Sequence, residues 1–130
     1  MLTPEGKVKV QVKKILDRYP SRYRFAPATG GFGSSGIPDI VACIHGKFIA
    51  VECKAKGNKP TGLQMKNLRD IEAAGGYPYI VDETGVGVFA MSLAEVFANP
   101  LHNPPKLRNF TAGATGHADP DPSEAEPRSS

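Results

Sequence analysis

Asp39 and the Glu52-Cys53-Lys54 tripeptide are the residues whose types and spacing could do chemistry. Asp39 follows Gly36-Ile37-Pro38 and stands thirteen residues before Glu52; the segments carrying the two acids, 37–44 and 47–54, are apolar, strand-like runs joined by His45-Gly46. A two-residue loop fixes the register of a hairpin. With that loop Ile44 faces Lys47, Cys43 faces Phe48 and, counting back, Asp39 faces Glu52. Directly opposed residues have Cβ atoms about 4.5–5.5 Å apart, where two like charges repel. A chain selected for stability alone avoids that pairing, so something positive is expected between the acids. Lys54 lies two residues beyond Glu52 and hence on the same face, and a divalent cation could fill the remaining space. His is a weaker turn residue than Asn, and a longer loop with shifted register is the alternative. The same register sets Cys43 and Cys53 on opposite faces, which argues against a disulfide between them.

Two adjacent carboxylates with no His or Cys beside them suit a hard cation such as Mg²⁺, which takes oxygen ligands and retains waters, and they disfavour zinc. Such an ion lowers the pKa of a water and stabilises charge developing on a phosphate, while a neighbouring lysine steadies the water or the anionic oxygens. The pattern is that of a hydrolytic phosphodiester site. Taken singly, Asp39 reads as a strand-start acid, and Glu52 with Lys54 as the solvated face of an edge strand. On opposed strands amid Val41, Phe48 and Ala50, those ordinary readings fit poorly.

The elements that must position these groups are legible around them. A first helix is signalled by Thr3 as N-cap, Pro4 at the first helical position, and Val8, Val12, Ile15 and Leu16 at helical spacing before Pro20. Glu5 falls in the centre of that apolar stripe, whereas Lys7, Lys9, Lys13 and Lys14 lie outside it. Alone, Glu5 is a first-turn acid that favours the helix dipole; it gains interest where other carboxylates meet it. Arg22, Tyr23, Arg24 and Phe25 alternate as a short strand ended by Pro27. In the loop that follows, Gly31, Gly33 and Gly36 spell G-x-G-x-x-G, but a strand rather than a helix comes next, so the dinucleotide reading is rejected. A second helix starts at Thr61, uses Leu63, Leu68 and Ile71 as apolar positions, and ends at Gly75-Gly76; Gln64 shares that register and points inward. Residues 77–81 and 86–91 read as two strands about a turn at Thr84-Gly85, and 92–99 as a short helix capped by Ser92. The expected order is α, β, β, β, α, β, β, α.

Composition bounds what such a site could serve. The chain has 130 residues, 13.9 kDa and a net charge of +3, the size of one small domain. No apolar run approaches the roughly 20 residues of a membrane span, and the start of the chain is charged unlike a secretion signal. Two cysteines without a Cys-x-x-Cys pair exclude a disulfide scaffold and a zinc ribbon. A soluble protein of the reducing cytosol, with no membrane partner, is expected. Residues 1–110 carry 15 Lys and Arg against 9 Asp and Glu, and residues 111–130 carry 1 against 4. The folded part is therefore expected at 1–110, basic and compatible with a polyanion, and 111–130 is expected to be a disordered acidic tail in which His117 and Asp119 do no chemistry.

The ordered set of Glu5, Pro38-Asp39, Val51-Glu52-Cys53-Lys54 and Lys59-Pro60-Thr61-Gly62-Leu63-Gln64 resembles the Pro-Asp…(Asp/Glu)-x-Lys nuclease superfamily, and within it the VRR-NUC branch. The resemblance covers roughly residues 5–89. Glu-x-Lys alone is common, and the ordered set in its secondary-structure context is considerably more specific. It implies an α/β, restriction-endonuclease-like fold, a central mixed β-sheet flanked by helices, and metal-dependent endonucleolytic cleavage of DNA. Asp39 and Glu52 would ligate Mg²⁺ or Mn²⁺ with the Cys53 backbone carbonyl as third ligand, and Lys54 would position or polarise the attacking water. Glu5 would support the metal directly or through water, and Gln64 would orient the lysine, water or phosphate. Stand-alone members this short resemble viral (bacteriophage) or bacterial enzymes that act in the bacterial cytoplasm as homodimers on branched DNA such as Holliday junctions. Arg22, Arg24, Lys56 and Lys59 are the candidate DNA contacts, with ordinary surface charge as the competing reading. Two rivals stand beside this one: a catalytically silent DNA-binding or assembly module of the same fold, and a nuclease acting on linear DNA or RNA.

Overall fold

The structure is a computed structural model that describes residues 2–28 and 36–114. The glycine-rich loop at 29–35 and the stretch 115–130, to which most of the expected tail belongs, lie outside the described residues.

Helix α1 (Pro4–Leu16) begins as its sequence dictates: the Thr3 side chain accepts from the Gly6 N–H at 3.0 Å, and Pro4 occupies the first turn. Val8, Val12, Ile15 and Leu16 are all buried. Three strands follow as an antiparallel meander, β1 (Arg22–Phe25), β2 (Ile40–Ile44) and β3 (Lys47–Cys53). The β2–β3 hairpin has the two-residue loop, with Ile44 opposite Lys47, Cys43 opposite Phe48 and Ile40 opposite Val51. His45 and Gly46 both have positive φ, 49° and 80°, as a type I′ turn requires. His45 tolerates that backbone while its ring lies edge-on to Phe97 at 5.5 Å and its N–H donates to the Ser21 carbonyl.

From β3 the chain crosses through α2 (Gly62–Ala73) to β4 (Tyr77–Val81), parallel to β3, and then through α3 (Val86–Ala98) and a 3-10 turn (Pro100–His102) to β5 (Arg108–Phe110), parallel to β4. The result is one mixed sheet ordered β1-β2-β3-β4-β5 with helices on both faces. Helices α1 and α3 pack on one face, where Val8, Val12, Leu16, Ile40, Ile49, Val51, Tyr79, Phe89 and Leu93 form the main core. On the other, Leu68 and Met65 of α2 meet Ile80 and Leu107 in a smaller cluster. Among the described residues no helix is long and apolar enough to cross a membrane.

The fold class is the expected one, but the order of its last third is not. Residues 86–91 form the first half of α3 rather than a strand, and Ser92 lies inside that helix instead of capping it. The element that fills the sheet's far edge is β5. Leu63 of α2, expected on the apolar side, is 42% exposed. Residues 111–114 continue past β5 in a turn anchored by the Ala112 N–H, which donates to Asp82 at 2.8 Å.

Gly85 explains why its dipeptide resembles a strand-joining turn. It precedes α3 and lies against β5 so closely that a Cβ there would meet the Phe110 carbonyl oxygen at 1.8 Å. Backbone on that side cannot give way as a flexible side chain would. Gly85→Ala is therefore expected to lower unfolding stability by about 2–3 kcal/mol, read as a fall in the urea midpoint at unchanged m-value. An unshifted midpoint would show that α3 and β5 are not in this contact.

Candidate active site

The site forms where β2 enters the sheet and β3 leaves it. Hairpin register carries Asp39, the residue before β2, alongside Glu52, the penultimate residue of β3. Asp39 is held there by its own hydrogen bond, Oδ2 accepting the Cys53 N–H at 2.8 Å. In a strand, a residue's N–H and C=O point to the same side and those of its neighbour to the other. The Lys54 N–H goes to the Val81 carbonyl on β4 at 2.9 Å, so both Cys53 backbone groups face the Asp39 side. The Cys53 side chain is in the main core, where burial pushes its thiol well above its ordinary range. Only the backbone of Cys53 is available to the site.

Glu52 is 2% exposed, and its Oε1 is buried with no hydrogen-bond partner among the described residues. Lys54 Nζ stands 3.5 Å from its Oε2. Burial, and then the nearby Asp39 charge, push the Glu52 carboxyl up to about 8 even though Lys54 pulls it the other way. A buried acid with an orphaned oxygen beside a second acid is a donor set that a cation could satisfy. The donors are all oxygens, two carboxylates and a main-chain carbonyl, and they fit Mg²⁺ or Mn²⁺ better than zinc. No group of three or more His, Cys, Asp or Glu side chains suited to a metal occurs among the described residues. A cation here would depend on the carbonyl and water to complete its shell.

The other expected site residues are placed less uniformly. Glu5 reaches the neighbourhood but pairs with Lys9, at 3.5 Å, instead of joining the acid pair. Lys9 also reaches Asp39 Oδ1 at 3.4 Å. Its place outside the apolar stripe hid it in the sequence, although the i,i+4 spacing from Glu5 was a usable signal. Burial would lower the Lys9 pKa, but Asp39 and Glu5 together raise it, so the ammonium stays charged. Gln64 is spent on the capping box of α2, its Oε1 accepting the Thr61 N–H at 2.9 Å while Thr61 Oγ1 accepts the Gln64 N–H at 3.1 Å. The inward-pointing amide expected from helical spacing is thus half-buried at the helix start, with no hydrogen bond to the acids or Lys54.

Lys56 and Lys59 are exposed on the loop leaving the site, and the Lys56 N–H is braced by the Glu83 carboxylate. Arg22 and Arg24 are committed elsewhere: both guanidinium groups hold Asp17, Arg24 through bonds of 2.7 and 2.9 Å and Arg22 at 3.0 Å, keeping that carboxyl well below the usual range. They tie β1 to the end of α1.

Between the unfolded Glu52 carboxyl's range near 4.5 and about 8 the unfolded chain gives up the proton while the folded one keeps it, so metal-free stability falls as pH rises through that window. Glu52→Gln removes the ionisation. In EDTA the variant is expected to melt at least 4–8 °C above wild type at pH 8.5, the shift that each 1 kcal/mol gives at about this size, and to match it near pH 4.5. Parallel pH dependence in both proteins would place the buried charge elsewhere.

A family model described as archaeal Holliday junction resolvase (Hjc) matches residues 11–91, a span that contains Asp39, Glu52, Lys54 and Gln64 and starts after Glu5 and Lys9. Over 51 residues the chain is 43% identical to "Putative nuclease p44" of Acyrthosiphon pisum secondary endosymbiont phage 1, which is 38% of this chain and 55% of the phage protein. The match thus spans about half the length of that relative. A solved structure titled "VRR_NUC domain" superposes with a TM-score of 0.54 at 19% identity, covering 75% of this chain and 98% of the other. At that identity the likeness concerns the fold.

Proposed function

The chain belongs to the archaeal Holliday junction resolvase (Hjc) family, of VRR-NUC-like nuclease fold, and from that premise we propose that it is a Mg²⁺- or Mn²⁺-dependent endonuclease that cuts branched DNA. The observation that carries the reading is the apposition of Asp39 with the buried, under-satisfied Glu52, with Lys54 3.5 Å away. In this reading Asp39, Glu52 and the Cys53 carbonyl hold the ion, which when bound supplies Lewis-acid charge at the scissile phosphate and an easier deprotonation of water. Lys54 donates to the attacking water or to a non-bridging phosphate oxygen, and its small exposure, 12%, keeps the ammonium aimed at the site. Lys56 and Lys59 meet the backbone of the incoming strand.

A junction presents related strands about a two-fold axis, and a second copy of the chain is the partner this reading requires. The support is an uncovered apolar strip on the α2 side of the sheet. Tyr23, Cys43 and Phe48 are aligned across β1, β2 and β3, and Tyr23, Phe25 and Phe48 are 71%, 50% and 47% exposed. Tyr23→Glu with Phe25→Glu is expected to give a monomer by sedimentation, where wild type sediments as a dimer. A monomeric wild type would overturn the dimer.

For the chemistry, Asp39→Ala and Lys54→Ala are each expected to slow cutting of a four-way junction by on the order of 10³-fold, while junction binding in Ca²⁺ stays within about threefold. Competition among four-way junction, flap, linear duplex and RNA reads the substrate class. Junction binding without cutting by wild type in Mg²⁺ or Mn²⁺ would favour the silent module, and cutting by both variants at wild-type rate would sink the site.

A further inference from the structure

We propose that Lys9 is the resident counter-ion of this site: its ammonium neutralises Asp39 in the metal-free protein and is displaced from it by the divalent cation, with Glu5 retaining it. The inference rests on the metal-site reading above and assigns Lys9 and Glu5 roles which that reading does not contain.

The two oxygens of Asp39 are in different hands. Oδ2 is fixed by the Cys53 N–H at 2.8 Å, which sets where the carboxylate sits. Oδ1 is left to Lys9, at 3.4 Å. A charge-assisted hydrogen bond in full contact runs about 2.7–2.9 Å, as Arg24 shows against Asp17 at 2.7 and 2.9 Å at the C-terminal end of α1. The Lys9 contact is looser, and its side chain is 36% exposed on a flexible stem. It is a contact that neutralises charge without fixing geometry. Oδ1 is then the Asp39 oxygen that a cation would take.

Three acids, Glu5, Asp39 and Glu52, stand beside two ammonium groups here, and each lysine has its own side. Lys54 stands on Glu52 and Lys9 on Asp39 and Glu5. With Asp39 and Glu52 holding a divalent ion, two positive charges would lie beside Lys9 and the Lys9–Asp39 contact would become unfavourable. The i,i+4 partner Glu5, 3.5 Å from Nζ, remains to hold the released ammonium at the site's edge. Glu5 therefore acts as a positioning residue for Lys9, and its charge reaches the metal through that lysine.

Isothermal titration of the metal-free protein with Mn²⁺ alone, without DNA, tests this. Lys9→Met is expected to tighten Mn²⁺ binding about three- to tenfold, the scale of one or two half-exposed ion pairs, with Lys9→Gln as a second neutral variant. Lys9→Arg keeps the charge and should stay within about twofold of wild type. Glu5→Gln should weaken binding in the wild-type background and change nothing in the Lys9→Met background, whereas a direct ligand would lose affinity in both. Asp39→Asn separates the two levels. If it abolishes Mn²⁺ binding while Lys9→Met leaves the affinity unchanged or weaker, the Lys9 inference is overturned and the metal site stands. If wild type takes up no Mn²⁺, or Asp39→Asn binds as well as wild type, both are overturned.

Discussion

Two acids set directly across a β-hairpin repel once both are ionised, and much of this structure can be understood as the means of holding them there. The pairing follows from a loop of two residues. His45 and Gly46 both adopt positive φ, the type I′ geometry that matches the strand twist, and with that turn Asp39 has no neighbour to face but Glu52. A one-residue slip would turn Glu52 toward the main core and Cys53 away from it. The apolar residues of β3, Ile49, Val51 and Cys53, are fully buried against α1 and α3 and make that slip prohibitively costly. The core fixes the register, and the register imposes the repulsion.

What limits the repulsion is local and polar. The Cys53 N–H takes Asp39 Oδ2, Lys9 stands near Oδ1 and Lys54 near Glu52 Oε2, and Glu52 Oε1 is left without a partner. Buried polar atoms of native proteins are nearly all satisfied, and the exception at the meeting point of the two acids is what the proposed metal site rests on. Elsewhere on the same sheet edge the opposite holds. Asp82, equally buried, accepts from the Thr84 N–H, the Thr84 hydroxyl and the Ala112 N–H, and these bonds outweigh its burial and lower its pKa. One buried acid is fully partnered and braces the edge; the other is left partly bare.

How much of this was legible depended on whether the signal was local. The hairpin, the Thr3 and Thr61 caps, the α1 stripe and the opposition of Asp39 to Glu52 all come from residues within a few positions of one another or from a turn that transmits register without error. The sequence misled where a long-range contact decided. Val86 to Met91 is apolar and follows a Thr-Gly pair, which reads as strand after turn, but Gly85 is small because β5 packs on it. A three-residue strand, Arg108–Phe110, carries too little alternation to announce itself. Gln64 shows a different failure. Helical spacing placed it on the inward side, yet a residue three positions after a Thr cap can close the capping box, and that local bond took its carbonyl oxygen. Arg22 and Arg24 looked like free basic groups because their partner, Asp17, sits at the end of the preceding helix, where spacing alone does not point.

The change of strand direction at β3 explains why the acids meet at an edge where a large polyanion could reach them. With β2 antiparallel to β3, the start of β2 lies beside the end of β3; with β4 and β5 parallel to β3, their carboxyl ends come to that same edge. Ligand sites of open α/β sheets favour the carboxyl ends of parallel strands, because loops leave there and backbone groups are unpaired. Here the antiparallel β2 adds an acid from its amino end to the Glu52 and Lys54 supplied by β3, and the α1 side chains Glu5 and Lys9 approach the same acids from the face opposite α2. An all-parallel sheet would carry the amino end of β2 to the far edge, a strand's length from Glu52. The mixed sheet is therefore a condition for having two acids from adjacent strands at one open edge.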